Sequence, residues 1–296
     1  MNTHSSERSG LIELHLAVLL FGGTALFSKL IPLSALDITA LRCCIAAFAL
    51  GLLVKLSGHH LKLNQVRDYY IAIGLGVIVS LHWVTYFAAM QLSSVAIGMI
   101  AFFTYPVMTV LVEPFFTGKR LELADIISGI GVLLGVSLLI PEANLGNDVT
   151  LGIIIGIISA ALFTARNLLH KRYFASYTGA QAMYYQTGVS ALFLLPWIEV
   201  EPSSIQADVW WLVFLLGIVF TAAPHALFTS ALRQLSAKTV SLVSCLQPLY
   251  GALLALLILG EGLALKTLIG GALVVFTAVY ETQKSHKANR AQKTSR

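Results

Sequence analysis

Long apolar segments separated by short polar ones recur along nearly the whole chain. Uncharged apolar runs of about 18 or more residues are typical of helices that cross a membrane. Ten such spans fit the sequence, and the connections between them are too short for a separate soluble domain. The predicted helices have the approximate limits 11–31, 36–56, 69–90, 94–116, 124–140, 151–170, 178–198, 209–231, 238–259 and 265–281.

The composition agrees with this pattern. Hydrophobic residues make up 57% of the 296 positions and charged residues 11%, whereas a soluble domain carries about 25% charged residues. The three cysteines, Cys43, Cys44 and Cys245, lie within apolar runs, and no CxxC spacing is present. We therefore expect an all-α polytopic membrane protein without a metal site or cofactor, in which the cysteines are small buried hydrophobic residues.

Lysine and arginine residues orient the chain in the membrane. If the N-terminus lies in the cytoplasm, all of the 19 except Lys29, Arg42 and Lys266 fall on the cytoplasmic side. The segments 141–150 and 199–208, which then face the opposite side, contain neither residue type. Because cytoplasmic loops carry the excess of Lys and Arg, we expect both termini to be cytoplasmic.

An internal repeat relates the two halves of the chain. The segment AMQLSS after the third span resembles LRQLSA after the eighth, with an offset that pairs His82 with His225. A register shifted by one residue pairs Pro106 with Pro248. Because the matched positions keep their order across several spans, the similarity indicates a duplication of the whole five-span unit.

The repeat predicts the domain organisation. Each half holds five spans, over residues 1–145 and 146–296, and a basic cytoplasmic tail begins at about residue 282. Because five is an odd number, the second half enters the membrane from the opposite side, so the repeat is inverted. Inverted repeats are the architecture of alternating-access transporters, which bind substrate near the membrane midplane between the halves.

Two stretches resemble a known family. QLSSVAIGMIAFFTYPVMTVL and QLSAKTVSLVSCLQPLYGALLALLILGEGLALKTLIGGALVVF look like the EamA-type branch of the drug/metabolite transporter superfamily. In the second stretch, Pro248 is followed by the pair Gly260 and Glu261, and then by a final helix that contains Gly270 and Gly271. The resemblance covers almost the whole chain.

The resemblance implies a fold and a function. The third, fourth, eighth and ninth spans should surround a central cavity, with the fifth and tenth at the periphery. Members export or exchange small metabolites, including amino acids and their derivatives, and a bacterial inner membrane is the expected location. The first half departs from the pattern, because Lys119 stands where the second half has Glu261, so no symmetric glutamate pair is expected.

His82 and His225 are the first candidates for a functional site. A neutral histidine inside a span can form a structural hydrogen bond between helices, and this remains one interpretation of both residues. Their symmetric placement in the repeat favours the other, in which both flank one central cavity. Since the ordinary pKa of histidine is about 6.5, these residues are also the natural candidates for proton coupling.

Aromatic and polar residues near these histidines complete the predicted cavity. Tyr86 lies one helical turn from His82, and Trp83 lies at the edge of the same face. Neither repeats in the second half, so both are candidates for substrate selectivity. The helix prolines are either packing kinks or sites of freed carbonyl groups that bind substrate. The predicted cavity residues are His82, Trp83, Tyr86, Phe103, Tyr105, His225, Gln247 and Tyr250, with Pro106 and Pro248 as the helix kinks.

Charged residues near the cytoplasmic ends of the spans suggest a gate. Arg166 and Asn167 come near the end of span six, and Glu113 lies at a similar depth in span four. An ion pair of Arg166 with Glu113, or with Glu13, would neutralise both charges. The alternative is a snorkelling arginine.

These features favour a secondary exporter of small polar metabolites, most of all amino acids or their derivatives. No GxxxxGK[ST] sequence is present, so the driving force is a proton gradient, exchange or the solute gradient. A passive channel is one alternative. An intramembrane enzyme that uses the two histidines is another, but HExxH and GxSxG are absent, and we do not expect an enzyme.

The chemistry of the cavity also bounds the partners. We expect the lipid bilayer and a small-molecule substrate, with protons as a candidate coupling ion and no nucleic acid. Deep cations are scarce, since we expect Arg42 to reach the outer interface or to pair with Asp37. An aromatic cavity with few fixed charges suits a zwitterion or an amphipathic amide better than a phosphate.

Overall fold

The computed structural model describes residues 3–58, 60–117, 122–139, 146–174, 176–235, 240 and 243–294. Side chains are described for all of these except residues 3–7, 116–117, 229, 232–233, 281–282 and 284–294. Lys119, which matches Glu261 in the repeat, lies outside the described residues.

The regular secondary structure of the described residues is helical. The first half forms α1 (Thr3–Thr24), α2 (Phe27–Leu30), α3 (Ala35–Leu56), α4 (Val66–Leu92), α5 (Val95–Phe102), α6 (Tyr105–Thr117) and α7 (Leu123–Ser137). The second half forms α8 (Asp148–Tyr173), α9 (Gly179–Leu194), α10 (Ala207–Gly217), a π turn (Ile218–Ala222), α11 (Ala223–Gln234), α12 (Gln247–Leu254), a second π turn (Ala255–Leu259) and α13 (Leu265–Thr294).

Six helical segments are long and apolar enough to cross a membrane. They are Arg8–Leu30, Ala35–Leu56, Val66–Leu92, Val95–Phe115, Asp148–Tyr173 and Ala207–Phe228. Shorter apolar helices cover Leu123–Ser137, Gln247–Leu259 and Leu265–Tyr280. Because many large apolar side chains on these helices face outward, the protein has the surface that a lipid bilayer requires. The predicted all-α, multi-pass membrane character is therefore confirmed.

The predicted helix kinks are breaks between separate helices. α5 ends at Phe102, and α6 begins at Tyr105 after two intervening residues, with Pro106 as its second residue. In the same way, Pro248 is the second residue of α12, which follows a turn at residues 245–246. A proline in the first turn lacks only an N–H group that has no partner inside the helix. Both prolines therefore start new helices, at positions that match in the repeat.

Side chains at the helix ends explain where several helices begin. The Ser34 hydroxyl accepts a hydrogen bond from the backbone N–H of Asp37 at the start of α3. The Ser94 hydroxyl caps α5 in the same way, and Asn147 caps α8. These short polar side chains satisfy backbone donors that the helix itself leaves unpaired.

Glycines allow the closest helix contacts, as the GxxxG spacings Gly131–Gly135 in α7 and Gly152–Gly156 in α8 predict. A Cβ atom on Gly270 of α13 would lie 2.5 Å from the carbonyl oxygen of Gly135 in α7. In α8, a Cβ atom on Gly152 would lie 2.8 Å from the carbonyl oxygen of Ala89, and one on Gly156 would lie 2.8 Å from the Cβ of Ala101. The pair α7 and α13 packs together, and α8 packs closely on α4 and α5.

The largest hydrophobic cluster fills the end of the protein where α2 meets α3 and where α4 meets α5. Its buried members include Ile31, Ile38, Met90, Val95 and Met99. A second cluster joins α5 and α6 to α7 and α13. The largest cluster also includes Tyr86 and Phe102, so tight packing of the central helices extends from Ile38 and Met90 to these two rings.

Candidate functional site

A cavity of about 420 Å³ lies among helices from both halves of the sequence. Its wall includes residues of α1, α3, α4, α5, α6, α8, α9, α11 and α12, and of the first π turn. This volume lies within the range of about 300–1,000 Å³ that is usual for small-molecule sites. The cavity reaches Arg166 and His170 near the end of α8, and Gly179 and Ala182 at the start of α9.

Six of the eight predicted cavity residues line this cavity. They are His82, Trp83, Tyr86, Tyr105, His225 and Gln247. Ser244, which lies four residues before Pro248 and so has a carbonyl of the kind that a helix proline frees, is also in the wall. The structure thus brings together residues that lie more than 160 positions apart in the chain.

Phe103 and Tyr250 lie elsewhere. Phe103 is 1% exposed and packs in the second cluster, beside Val107. Because α5 ends at Phe102, it is the Phe102 ring that faces the cavity instead. Tyr250 lines a separate surface pocket, where its hydroxyl oxygen lies 2.9 Å from Nδ1 of His15. For both residues, adjacency to a helix break did not decide the direction of the side chain.

His82 is both a cavity residue and a bridge between helices. Its Nδ1 donates to the Ser159 hydroxyl at 2.8 Å and to the Ser159 carbonyl oxygen at 3.2 Å. The Ser159 hydroxyl in turn donates to the carbonyl oxygen of His82 at 3.0 Å. Because a carbonyl only accepts, the proton sits on Nδ1. The ring packs against Phe102 and Phe163, with centroids 5.3 and 4.9 Å away.

His225 is held within its own helix rather than across a helix pair. Its Nδ1 donates to the carbonyl oxygen of Thr221, four residues earlier, at 2.6 Å. The ring meets Phe21 edge-on, with centroids 4.9 Å apart. The two histidines that the repeat pairs therefore share the cavity but differ in what orients them.

The position predicted for Arg42 from the sequence is wrong. It is 1% exposed and lines the cavity, neither reaching the outer interface nor pairing with Asp37. Asp37 instead accepts hydrogen bonds from the Ser34 hydroxyl at 2.8 Å and from the backbone N–H of Glu199 at 3.1 Å. Five residues separate Asp37 from Arg42, which places them about 140° apart around α3. Arg42 therefore faces the protein interior.

Aromatic rings and one hydroxyl group hold the Arg42 guanidinium. Its Cζ lies 4.2 Å from the ring centroid of Trp83 and 4.9 Å from that of Phe87. Nη1 donates to the Thr221 hydroxyl at 3.3 Å. That hydroxyl donates to the carbonyl oxygen of Leu216 at 2.8 Å. Nε and Nη2 of Arg42 are buried and have no hydrogen-bond partner in the described part of the chain.

The predicted ion pair of Arg166 is also wrong. Glu113 pairs with Lys171, with Nζ and Oε1 2.9 Å apart. Lys171 lies five residues beyond Arg166, on a different face of α8 and nearer the helix end, so it reaches the carboxylate that Arg166 does not. Glu13, the other predicted partner, accepts a hydrogen bond from the side chain of Gln234 at 3.0 Å.

Neutral groups surround Arg166 in the cavity wall. Nε donates to Oε1 of Gln186 at 2.8 Å, and Nη1 donates to Oδ1 of Asn167 at 2.9 Å. Nη2 lies 3.3 Å from the sulfur of Met183. Asn167 therefore orients Arg166, and these contacts leave the positive charge without a carboxylate.

Several cavity residues were missed by reasoning from the sequence. Arg42 is the most important, and a signal for it existed, since a lone arginine inside an apolar segment is costly in a membrane and usually functional. The remaining ones carried no comparable signal. They include Phe21, Thr24, Val79, Phe102, Phe163, His170, Gly179, Ala182, Met183, Phe220, Thr221 and Phe228.

Comparison with known proteins identifies the family to which this chain is similar. The model of the EamA-like transporter family matches the chain twice, at residues 8–140 and 150–280. The chain is 26% identical to "Uncharacterized transporter YxxF" of Bacillus subtilis, over 82% of this chain and 79% of that protein. It is 23% identical to "Uncharacterized inner membrane transporter YicL" of Salmonella typhimurium, over 97% and 99% of the two chains.

An archaeal relative and a solved structure extend the comparison. An "Uncharacterized transporter" of Archaeoglobus fulgidus is 28% identical over 69% of this chain and 73% of its own. One solved crystal structure matches with a TM-score of 0.64 at 20% sequence identity, covering 96% of this chain and 99% of the other. The fold is therefore shared along almost the whole chain.

Proposed function

The chain belongs to the EamA-like transporter family, and we propose that this membrane transporter is a secondary transporter of small polar metabolites. It exports or exchanges them by alternating access through the central cavity. The observation that carries the proposal is this cavity, whose wall is built from both halves of the chain and whose volume of about 420 Å³ suits a small metabolite. We assign the protein no enzymatic step.

The proposed architecture is ten membrane spans in two inverted five-helix repeats, over about residues 1–145 and 146–296. Two matches of one family model support a duplication. The helix breaks before Pro106 and Pro248, at matching positions of the two halves, also support it. Broken helices beside a central site are typical of transporters with inverted repeats.

The position of the cavity supports alternating access. Its wall reaches the junction of α8 with α9, and it also shares Tyr86 and Phe102 with the largest hydrophobic cluster, which continues to Ile38 and Met90. A site with one sealed end is the arrangement that alternating access requires, since both ends must never open together. The distribution of Lys and Arg favours a cytoplasmic α8–α9 end, and with that orientation we propose that the cavity faces inward.

The same orientation places both termini in the cytoplasm, and we propose the inner membrane of a bacterium as the location. A relative described as an inner membrane transporter supports this location. Amino acids or their derivatives are the proposed substrates, because the wall combines aromatic rings with a few polar side chains. His82 and His225 are the proposed residues for proton coupling.

Counterflow in proteoliposomes tests the proposed transport. Purified protein is reconstituted, liposomes are loaded with unlabelled amino acids or acylated amino acids, and uptake of the radiolabelled compound is followed. We expect saturable uptake that unlabelled solute inside accelerates. Flux that rises linearly with concentration, without this acceleration, would identify a passive channel instead.

A matched pair of variants tests whether the cavity is the route. Ala182 lies in the cavity wall, so Ala182→Phe, in protein that is expressed at the wild-type level, is expected to reduce transport by narrowing the site. Leu133 on α7 is 70% exposed on the outer surface, and Leu133→Phe adds a similar ring outside the cavity. Equal transport by both variants would contradict the proposed route.

A further inference from the structure

The cavity also indicates a substrate class, an inference that rests on the proposed transport function. We infer that the solute is an organic carboxylate with an aromatic body and no free ammonium group, and that Arg42 binds its carboxylate. The inference narrows the proposed amino acids and derivatives to those whose amino group is absent or acylated.

The first argument is the balance of charge in the cavity wall. Arg42 and Arg166 both line the cavity, and none of the described residues in the wall is an Asp or Glu. The hydrogen-bond partners of the two guanidinium groups are neutral. A buried cation without a counter-charge is costly. An anionic solute would supply the missing charge, whereas a cationic solute would add to the repulsion.

The second argument is the geometry of the Arg42 guanidinium. The rings of Trp83 and Phe87 lie against it, and Nη1 is occupied by Thr221. The two nitrogens without a partner, Nε and Nη2, stand side by side on one edge of the group. Two parallel N–H donors on one edge match the two oxygens of a carboxylate. The edge without a hydrogen-bond partner is therefore the one suited to bidentate binding, and since both nitrogens are buried, the solute reaches them only as the cavity wall adjusts around it.

The third argument is the excess of donors around the cavity. In the part of the chain that the structure describes, the buried side-chain nitrogen and oxygen atoms without a partner are all nitrogens, on Arg42, His170 and Gln186. Two of the four, Nε and Nη2 of Arg42, belong to a residue of the cavity wall and can only donate. Gln186 lies behind the wall, where it accepts a hydrogen bond from Arg166. A buried donor without a partner is unfavourable, so a solute that brings acceptor oxygens is favoured.

The fourth argument is the apolar part of the wall, which suits an aromatic body. Phe21, Tyr86, Phe102, Tyr105 and Phe163 all line the cavity. Phe102, Tyr105 and Phe163 form a connected set of ring contacts, with centroids 4.8 to 5.3 Å apart. Such rings offer an aromatic solute edge-on and stacked contacts.

A series of compounds with one aromatic body and different charges tests the inference. N-acetylphenylalanine is an anion, phenylalanine a zwitterion and phenylalaninamide a cation, and phenyl phosphate offers a different anionic group. Binding is measured by the rise in Tm of the purified full-length protein in detergent, since at one ligand concentration the stabilisation of the folded state grows with the logarithm of the affinity. Counterflow in proteoliposomes then measures transport of the same compounds.

We expect N-acetylphenylalanine to bind most tightly and phenylalaninamide not at all. Arg42→Gln should weaken binding of N-acetylphenylalanine by about 10- to 100-fold, the effect of losing charge-assisted hydrogen bonds. Arg42→Lys keeps the charge but loses the planar pair of N–H donors, so it should bind N-acetylphenylalanine more tightly than Arg42→Gln and less tightly than the wild type. The control is Arg67→Gln, because Arg67 is exposed outside the cavity, and it should bind as the wild type does.

The outcomes separate this inference from the proposed function. Transport of the zwitterion or the cation at least as well as the anion would overturn the carboxylate assignment and leave the transporter intact. Tighter binding of phenyl phosphate, or absence of binding by all four compounds, would also overturn it. Binding of the anion without counterflow would support the substrate class and contradict transport. If Arg42→Gln does not fold, the comparison of the four compounds on the wild-type protein still tests whether an anionic carboxylate is preferred.

Discussion

Replacing Arg42 by methionine should stabilise the ligand-free protein and remove its recognition of carboxylates. Methionine is unbranched and flexible, so it can occupy the space of the arginine stem beside Trp83 and Phe87 without a charge. The buried guanidinium is a place where function and stability conflict, because binding an anion requires a cation that the empty cavity does not neutralise.

The structure sets the magnitude of the change. The variant loses the ring contact with Trp83 at 4.2 Å, which is worth about 0.5–2 kcal/mol. It also loses the long hydrogen bond to Thr221 at 3.3 Å, worth about 1 kcal/mol. Thr221 keeps its own bond to the carbonyl of Leu216, so no hydroxyl is left unpaired. Removing a buried ion that has no counter-charge gains more, and the replacement of buried ion pairs by well-packed apolar residues, which is often neutral and otherwise stabilising by about 1–4 kcal/mol, sets the scale of that gain.

Thermal unfolding of the purified protein in one detergent, without ligand, measures this difference. At roughly 2 °C per kcal/mol, Tm should rise by about 2 to 8 °C. The control Arg67→Met removes an exposed arginine, where substitutions usually stay within about 0.5 kcal/mol. A fall in Tm for Arg42→Met, with the control unchanged, would refute the reasoning, because it would mean that the folded protein already compensates the charge.

Three further predictions concern packing, the sealed end of the cavity and coupling. Gly270→Ala should lower Tm because its Cβ would lie 2.5 Å from a backbone carbonyl of α7. A Cβ at Gly74 would meet nothing within 4 Å, so Gly74→Ala should raise Tm slightly. Equal changes in Tm for the two variants would contradict the close contact. Glu261 accepts a hydrogen bond from the first N–H of α5, on Val95, at 3.0 Å. Glu261→Gln should therefore destabilise the start of α5 by about 0.3–2 kcal/mol and speed amide hydrogen exchange there. Unchanged exchange at the start of α5 would argue against this role. His82→Ala should lower transport with expression intact, and equal transport by wild type and variant from about pH 5.5 to 8 would refute proton coupling.

Much of the fold could be predicted because it depends on local features of the sequence. Apolar segments specify membrane helices, since lipid offers no partner for backbone N–H and C=O groups. Pro106 and Pro248 predict interruptions of the membrane helices, since proline lacks the backbone N–H group that a helix interior uses. The glycine steps of α7 and α8 predict close helix contacts, which the structure contains. Each of these properties belongs to a residue and its immediate neighbours.

The cavity was predicted only in part, because it depends on which helix faces which. His82, Trp83 and Tyr86 share one helix, so the helical period alone could group them. Phe103 missed the cavity by one position, since a shift of one residue turns a side chain by about 100° around the helix. Where α5 ends decides this direction.

The sequence by itself determined that this chain is a helical membrane protein with related halves, and where most of its helices begin and end. The tertiary structure decided the chemistry of the site. In the structure Arg42 does not pair with Asp37 but lies over the ring of Trp83. Glu113 forms its ion pair with Lys171 rather than with Arg166. The physical reason is that burial and helix period limit the face on which a charge lies, whereas its partner is set by packing between distant segments.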